Sequence, residues 1–423
     1  MNILILGATG FIGSVVAARL IADGHAVTGL GRNPARARLK QPAIDWRRAD
    51  LSRMLNPEDW ENLLKDRHAV VNCAGALQDG LSDDLAATQA GAMLALYAAA
   101  KRSRPLIVQI SARTAGAAGA LPFLATKKRA DEALAASGLP HLILRPALVL
   151  GRNAHGGSSL LRALAAFPLA LPLVHAESPV ETLSVDDVAE AVSRAIAGDL
   201  RGDVDLAAGE VLTLAELVGL HRQWLGLPPA RVFSLAPGLT RPVTWLADMA
   251  GLLGWRSPLR STAMTVMSEG IWSAKRENGL GATSAAATLA ANPSGVQDLW
   301  FARLYLLKPL IISGLSAFWQ LSGLIPLLSM ERASAHFLPF MPEAAATALT
   351  LATCIIDVAL GAAVLVRPLA RRALLGMLAV SLAYLAGGSL LEPALWLDPL
   401  GPLVKVLPSV LLTLTALATM DER

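Results

Sequence analysis

Apolar runs of strand length alternate with helical patterns through the first half of the chain. The first run, at residues 2–6, precedes a glycine-rich turn and a helical pattern that continues through Leu20 and Ile21. Further runs occur in HAVTGLGR, WRRADL, HAVVNCAGA, PLIVQISAR and PHLILRPALVLG, with helical stretches such as LAATQAGAMLALYAAAKRS between them. Continuous apolar runs are typical of strands that are buried on both faces. The alternation predicts an α/β fold with a doubly wound parallel sheet.

After Lys308 the pattern changes to long apolar runs that contain few charges. The runs occupy residues 309–330, 344–366, 373–391 and 402–420. Each is close to the ~20 residues that an α-helix needs to cross a bilayer. A very apolar soluble bundle is the alternative, but the succession of runs favours an all-α four-helix transmembrane domain. The predicted organisation is an α/β domain (1–235), a connecting or interfacial segment (236–300) and a membrane domain (301–423).

Three glycines follow the first predicted strand and open the first predicted helix. Gly7, Gly10 and Gly13 permit a tight turn and a close approach of the backbone to a pyrophosphate. Negative charge is favoured there because a helix N-terminus presents free amides and the positive end of its dipole. The strand-turn-helix context predicts a dinucleotide site. The alternative is an ordinary tight turn between a strand and a helix.

The end of the second predicted strand bears on the choice between NAD and NADP. Sites that prefer NAD usually place an acidic residue there, to bind the ribose 2′-hydroxyl. This chain has Gly31 and Arg32, followed by Arg36 and Arg38. Without an acid a 2′-phosphate is not repelled, and a guanidinium can bind it with two hydrogen bonds. The sequence favours NADP, with NAD as the alternative, unless these arginines only lie on a solvated helix start.

Several short motifs together resemble the extended and atypical short-chain dehydrogenase/reductases. In the order of that family they are GATGFIG, ADL, NCAG, VQIS, TKKRADEAL, LRPALVLG and VETLSVDDVAEAV. The resemblance covers residues 1–235 and implies a Rossmann fold with a small substrate lobe. It places Asp50 and Leu51 against the adenine, Ala74 and Gly75 against the cofactor ribose, and Pro146 near the nicotinamide. The complete expected cofactor-binding set is Gly7, Thr9, Gly10, Phe11, Ile12, Gly13, Arg32, Asp50, Leu51, Ala74, Gly75, Lys127 and Pro146.

The residues that perform the chemistry of that family are only partly present. The family uses a serine, a tyrosine and a lysine, with the tyrosine four residues before the lysine. Ser111 and Lys127 match as candidate catalytic residues, but Phe123 occupies the tyrosine position and cannot exchange a proton. The sequence places none of the tyrosines, Tyr97, Tyr305 and Tyr384, within reach of Lys127. In the alternative interpretation Ser111 only caps its loop and Lys127 only binds the ribose.

Composition excludes several other classes of function. The net charge is only +4, and no basic run with interleaved aromatic residues is present, so we expect no nucleic-acid partner. The two cysteines, Cys73 and Cys354, lie far apart, which argues against a disulfide framework. His141 and His155 lack the accompanying ligands of a metal site, so we expect none. The N-terminal sequence lacks the features of a signal peptide, which favours a cytoplasmic first domain.

Two apolar segments outside the predicted sheet each admit two interpretations. Residues 160–175 are too short and too interrupted by proline to cross a bilayer. They either line an apolar substrate pocket or form an ordinary amphipathic lobe helix. Residues 243–259 are apolar between Trp245 and Trp255, and they either lie in the membrane interface or pack on the nucleotide domain.

The basic residues near the predicted spans set the expected orientation. They precede the first span or connect the second and third, whereas the other two connections are mostly acidic. The basic residues are Arg303, Lys308, Arg367, Arg371 and Arg372. We therefore expect a multi-pass protein of the cytoplasmic (inner) membrane, with the nucleotide domain and the C-terminus in the cytoplasm.

Asp357 lies near the middle of the second predicted span, where a carboxylate is costly and usually faces a polar interior. It either contacts a proton or a substrate, or it is a protonated acid that bonds a neighbouring helix. The stretch CIIDVALGAAVLV resembles the second span of DoxX-like membrane proteins. PSGVQDLWFARLYLLKPLI resembles the junction where a short-chain-dehydrogenase-like domain is fused to a DoxX-like domain.

Three functional hypotheses follow from these features. The first is a membrane-anchored NADP(H)-binding oxidoreductase with a degenerate catalytic triad, acting on an apolar or membrane-derived substrate such as a quinone. The second is a non-catalytic cofactor-binding subunit with a structural or sensing role in a membrane complex, similar to the nucleotide-binding accessory subunit of respiratory complex I. The third is a transport-related membrane protein that the nucleotide regulates. Phe123 favours the second hypothesis over the first.

Overall fold

The computed structural model describes residues 1–75, 80–81, 84–113, 117–272, 282–399 and 401–420. The chain divides into two compact units. The first unit contains Met1–Gly251 and Arg256–Arg303, and the second contains Leu252–Trp255 and Leu304–Arg423. The connecting segment expected at 236–300 falls mostly in the first unit, and its residues 273–281 lie outside the described residues.

The strands all belong to the first unit. In chain order they are β1 Asn2–Leu6, β2 Ala26–Gly31, β3 Asp45–Arg48, β4 Ala69–Asn72, β5 Leu106–Ile110, β6 His141–Pro146, β7 Leu148–Leu150, β8 Ala170–Leu173, β9 Pro179–Val180, β10 Thr182–Ser184, β11 Gly202–Leu206, β12 Leu212–Thr213 and β13 Arg231–Ser234. The main sheet has the order β11-β6-β5-β4-β1-β2-β3, and all of its pairs are parallel. This confirms the predicted doubly wound parallel sheet.

The first unit contains helices that cover both faces of this sheet and others that lie in a smaller lobe or in the connecting segment. They are α1 Phe11–Ala22, α2 Pro34–Lys40, α3 Glu58–Leu64, α4 Ala92–Ala100, α5 Pro122–Ala136, α6 Gly157–Ala165, α7 Val185–Ala197, α8 Leu214–Trp224, α9 Arg241–Leu252, α10 Ser261–Glu269 and α11 Ala285–Ala291. One apolar core joins the sheet to α1, α2 and α7, and a second joins it to α3, α4 and α5. The inner strands β1, β2, β4, β5 and β6 are mostly buried on both sides because each side faces one of these cores, whereas the edge strand β3 is largely exposed.

A small lobe is built from the segments that follow β6. It contains the short pairs β7–β10, β8–β13 and β9–β12 together with α6 and α8. Its core includes Leu161, Leu171, Leu173 and Leu217. Most of the apolar insert at 160–175 therefore packs inside the lobe, although Phe167 and Leu169 are exposed.

The second unit is helical. Its helices are α12 Val296–Leu327, which begins in the first unit, α13 Met330–Ala335, α14 Glu343–Ala363, α15 Arg367–Leu391 and α16 Val406–Ala418. Three of them, α12, α14 and α15, are long and apolar enough to cross a membrane. This confirms a helical C-terminal region that contains three candidate membrane spans.

The fourth predicted span differs from the structure in length. The apolar run at 402–420 contains a helix of only 13 residues, because residues 402–405 form turns before it. A helix of that length extends about 20 Å at 1.5 Å per residue, which is less than the ~30 Å hydrocarbon core. Sequence hydropathy overestimated this helix because it counts apolar turn residues as part of the span.

Candidate functional site

The glycine-rich turn joins β1 to the N-terminus of α1 at the carboxyl end of the sheet. Gly7 has a φ of +71°, a conformation that glycine adopts without strain. The amide of Gly10 donates to the carbonyl of Gly7 at 2.9 Å, which closes the turn. No side chain caps the first turn of α1, and that turn contains no acidic residue. The helix terminus therefore retains the free amides and positive dipole that favour an anion.

The same turn lies directly against the end of β4. A Cβ atom on Gly7 would come within 2.7 Å of the Ala74 amide nitrogen, and one on Gly13 would collide with the Gly7 carbonyl oxygen. The structure thus brings the glycine turn and Ala74 to one edge of the sheet. The absence of side chains allows these backbone segments to approach one another closely, which is the tight turn that dinucleotide sites of this type require.

The other residues of the motif have separate structural contacts. Ile12 packs against the core beneath α1. The Phe11 ring stacks on His155 with 6.5 Å between ring centroids. Thr9 is exposed near the end of β2, where its methyl group lies 4.0 Å from a Cβ built on Gly31.

The edge formed by β2 and β3 carries the residues expected at the adenosine end. Arg32 is exposed directly after β2, and Asn33 caps α2 by accepting a hydrogen bond from the Arg36 amide at 3.1 Å. Asp50 follows β3 and accepts from the amide and hydroxyl of Ser52 at 3.3 and 2.8 Å. The Asp50 carboxylate therefore stabilises its own turn, and Leu51 packs against the neighbouring core.

Lys127 lies beside the predicted ribose residues. A Cβ on Gly75 would be 3.4 Å from Lys127 Nζ, which donates to the carbonyl of Ile110 at 3.0 Å. Burial lowers the pKa of Lys127, whereas the nearby Asp131 and Cys73 oppose that decrease. The structure therefore brings Lys127 and Gly75 together, in a place where an ammonium group could contact a ribose.

Ser111 is buried at the end of β5 and already has a strong hydrogen-bond partner. Its hydroxyl donates to Asp131 Oδ2 at 2.6 Å, and Asp131 also lies 3.5 Å from Arg145 Nε. Burial raises the pKa of Asp131, and the contacts with Ser111 and Arg145 oppose that rise. Pro146 follows Arg145 at the end of β6. The Ser111 hydrogen is therefore directed into the protein rather than toward a substrate.

The tyrosine position of the resembled family provides no proton donor. Phe123 lies one helical turn before Lys127 on α5 and is half-buried. Tyr97 lies in the core at 3% exposure, its hydroxyl donates to Gln109 at 3.4 Å, and burial raises its pKa. Tyr305 and Tyr384 belong to the second unit.

Two ionic contacts of the first unit were missed by the sequence analysis. Arg113, two residues after Ser111, pairs with the buried Glu181 at 2.5 Å. Arg162 pairs with Asp298 at 3.3 Å, and burial lowers the pKa of Arg162 to about 10. These partners are separated by long stretches of chain, so spacing gave no signal. Asp131, in contrast, lies four residues after Lys127 on one helix, and helical spacing could have revealed it.

The membrane-embedded acid predicted from sequence has hydrogen-bonding partners in the second unit. Asp357 on α14 is 4% exposed and accepts from the Tyr384 hydroxyl of α15 at 2.9 Å. A Cβ on Gly323 of α12 would come 3.1 Å from the Asp357 Cβ. The carboxylate is therefore enclosed by three helices, as expected for a charged or polar group at membrane depth.

Two family models match separate parts of the chain. Residues 7–198 match the NAD(P)H-binding family, and residues 316–414 match the DoxX-like family. These ranges correspond to the parallel sheet with its covering helices and to the apolar helices of the second unit.

Individual relatives match this chain over a short stretch or at low sequence identity. The chain is 37% identical over 75 residues to the chloroplastic epimerase family protein SDR39U1 homolog of Arabidopsis thaliana. These 75 residues are 18% of this chain and 21% of the relative. The crystal structure of gox2253 has a TM-score of 0.51 and 21% identity, and covers 68% of this chain and 97% of that chain. The Bordetella bronchiseptica enzyme WbmH in complex with NAD+ has a TM-score of 0.48 and 21% identity, and covers 56% and 86% of the two chains. The match to gox2253 shows the fold alone.

Proposed function

We propose that this chain, which joins an NAD(P)-binding Rossmann domain to a DoxX-like membrane domain, is a membrane-anchored NADP(H)-dependent oxidoreductase for an apolar substrate. The observation that carries the proposal is the glycine turn, which leaves the start of α1 uncapped and free of acids. Lys127 and Gly75 lie together at the same edge of the sheet. This arrangement fits a pyrophosphate at the helix N-terminus and a ribose near the ammonium group.

The preference for NADP rests on the end of β2. Arg32 is exposed there, and Asp50, the acid after the next strand, is bonded to Ser52. A guanidinium stabilises a ribose phosphate through paired, charge-assisted hydrogen bonds. Arg36 and Arg38 are also exposed on the adjoining helix α2. We therefore assign Arg32 as the main contact to the 2′-phosphate.

The chemistry proposed here requires no tyrosine hydroxyl. A bound nucleotide would supply or accept the hydride, so the residues of this chain would have to hold the substrate carbonyl and transfer one proton. Lys127 is the ionisable group at the nucleotide edge whose pKa is lowered, so its ammonium releases a proton more readily than an exposed lysine does. A quinone is the acceptor that fits best, because its reduction depends less on a general acid than that of an isolated carbonyl.

A second candidate function is favoured by the hydrogen bond of Ser111. Its hydroxyl donates to Asp131, and Phe123 has no proton to give. Neither of the two positions that usually contact the substrate is therefore available for that contact. The nucleotide would then be retained as a structural or sensing element of a membrane complex. Binding without redox turnover distinguishes this candidate from the first.

Nucleotide binding is the first measurement. The full chain in detergent is titrated with NADPH and NADH, and nicotinamide fluorescence reports the dissociation constants. Arg32→Ala should weaken NADPH binding about tenfold, because a charge-assisted contact to phosphate is lost, while NADH binding changes little. Arg129→Ala, at an exposed position of α5, is the matched control and should leave both constants unchanged. If neither NADPH nor NADH binds, both candidate functions are contradicted.

Turnover then separates the two candidates. NADPH oxidation is followed with a short-chain quinone and with a panel of aldehydes. Quinone reduction by the unmodified chain supports the oxidoreductase. Tight binding without oxidation of NADPH supports the structural or sensing role. Phe123→Tyr provides a further comparison, since restoring a general acid should raise aldehyde reduction about a hundredfold if the site is arranged for hydride transfer.

A further inference from the structure

Helix α9, Arg241–Leu252, presents an apolar surface that no described residue of the chain covers. Its exposed side chains occupy about half of the helix circumference. They are Val243 at 48%, Trp245 at 61%, Leu246 at 60%, Met249 at 43% and Leu252 at 66% exposure. A cluster of this size is unusual on the surface of a water-soluble domain and indicates an interaction site.

The opposite side of α9 is firmly packed. Ala247 and Gly251 are buried, and a Cβ on Gly251 would come 2.8 Å from the guanidinium of Arg260. Arg260 Nε also donates to Asp248 at 3.1 Å. The polar contacts of the helix are therefore all on its packed side, and the apolar side faces outward.

The chain immediately after α9 is held by residues at the ends of the candidate membrane spans. The amide of Arg367, the first residue of α15, donates to the carbonyl of Leu253 at 2.9 Å. Trp255 Nε1 donates to the carbonyl of Leu365 at 2.6 Å. Lys308 and Arg367 lie 5.9 and 5.4 Å from the Trp255 ring. Tryptophan with basic neighbours is typical of the level of the lipid headgroups.

We propose that α9 lies flat in the headgroup region of the bilayer, with Val243, Leu246 and Met249 inserted among the lipid acyl chains. The partner is the lipid surface, because the residue after the helix is already fixed at the ends of the spans. The helix has 12 residues and is about 18 Å long at 1.5 Å per residue, too short to cross a ~30 Å core. A helix of that length with one exposed apolar side has the features of a helix that lies in the membrane interface.

Site-specific fluorescence tests the position of α9. Leu246→Cys and Met249→Cys are each made in the full chain with Cys73 and Cys354 replaced by serine, and labelled with the environment-sensitive dye NBD. The labelled protein is placed in nanodiscs of phosphatidylcholine and phosphatidylglycerol. Part of the phosphatidylcholine carries a doxyl quencher near the headgroup end of its acyl chain. Glu132→Cys on the exposed surface of α5 is the control, where the side chain is 68% exposed.

Insertion into lipid predicts blue-shifted emission and quenching about threefold stronger at positions 246 and 249 than at position 132. Quenching equal to that at position 132, with emission typical of water, would overturn the proposal. Blue-shifted emission without doxyl quenching would also overturn it, because the helix would then be covered by protein, from this chain or from a second copy. Retained melting temperature of each labelled variant confirms that the fold is intact, and the two helix positions serve as independent tests.

Discussion

At the scale of single residues, Gly7 is the position where the fold and the proposed nucleotide site both depend on the absence of a Cβ atom. Its positive φ disfavours any other residue, and its missing Cβ allows contact with Ala74. Gly24 provides an informative comparison, because its φ is +83° but no atom lies within 4 Å of its built Cβ. The two glycines therefore share a positive φ, which would strain any other residue, and differ in the close contact.

Substitution of these two glycines separates the two effects. Gly7→Ala and Gly24→Ala should each cost about 1 kcal/mol from backbone strain alone. Gly7→Ala should cost more, because its methyl group collides with the backbone of residues 73–74, and it should lower nucleotide affinity at least about tenfold. Melting temperature and NADPH titration of the full chain measure both quantities. Equal nucleotide affinity in the two variants would contradict the assigned role of the glycine turn.

The residues of the candidate site could be derived from the sequence to different extents. Gly7, Ala74 and Gly75 follow the neighbouring parallel strands β1 and β4, whose carboxyl ends share one edge of the sheet, whereas Lys127 was assigned only through the family resemblance. The partner of Ser111 could not be derived from motif order. It depends on the rotation of α5, which turns Asp131 toward β5 and brings the two side chains to 2.6 Å.

At the scale of elements, α12 contributes a charge to the lobe core before it becomes a candidate span. Asp298 in its first turn pairs with Arg162 of α6 and with Arg152. Arg162 is 3% exposed, donates to the carbonyl of Gly151 at 2.8 Å and lies 4.5 Å from the Trp224 ring. The guanidinium has no access to bulk water, so the Asp298 carboxylate is its main neutralising charge.

Removal of that charge should destabilise the lobe strongly. Asp298→Asn preserves the shape of the side chain but leaves Arg162 buried without a counter-ion, which should cost about 3 kcal/mol. Asp45→Asn is the matched control, because Asp45 pairs with Arg47 at 3.1 Å on the surface and its loss should cost less than about 1 kcal/mol. Melting temperatures of the two variants, compared with that of the unmodified chain, test the difference. Equal losses would show that the Asp298 pair is not a buried stabilising contact.

Element prediction succeeded where one physical pattern dominated. The inner strands β1, β2, β4, β5 and β6 are mostly buried on both faces, so each appeared as an apolar run. The edge strands carry charged residues, DWRR in β3 and GDVDL in β11, and β11 was not predicted. The lobe strands β8 to β10, β12 and β13 were not predicted, because they have two to four residues each and depend on pairing with distant segments, and the stretch PHLILRPALVLG was predicted as one strand but forms β6 and β7. The first three membrane runs were confirmed as long apolar helices, whereas the fourth includes turns that hydropathy does not detect.

At the scale of the whole molecule, charge is distributed unevenly among the connections of the membrane helices. Arg367, Arg371 and Arg372 lie at the start of α15, whereas the connection that follows that helix contains Glu392 and Asp398. Basic connections are retained on the cytoplasmic side of a membrane. We therefore expect the beginning of α15 to share its side with the nucleotide domain, and the end of α15 to face the opposite side.

Cysteine accessibility measures this orientation. Arg371→Cys and Leu397→Cys are introduced separately into the chain with Cys73 and Cys354 replaced by serine, and both positions are exposed. In sealed inverted membrane vesicles, a membrane-impermeant maleimide should label position 371 and leave position 397 unlabelled until detergent is added. Glu132→Cys marks the side of the nucleotide domain. Labelling of positions 371 and 397 from the same side would contradict the proposed topology.

The contact between Arg162 and Asp298 has a practical consequence for dividing the protein. A truncated fragment that ends at residue 235 would retain the whole main sheet but would lose the carboxylate that neutralises Arg162. It would also lose the carbonyl of Asn292, which accepts a hydrogen bond from Trp224 Nε1 at 2.6 Å. A fragment of the first unit intended for crystallisation should therefore end after Asp298 and before Lys308, so that the first turns of α12 remain while its apolar continuation is removed.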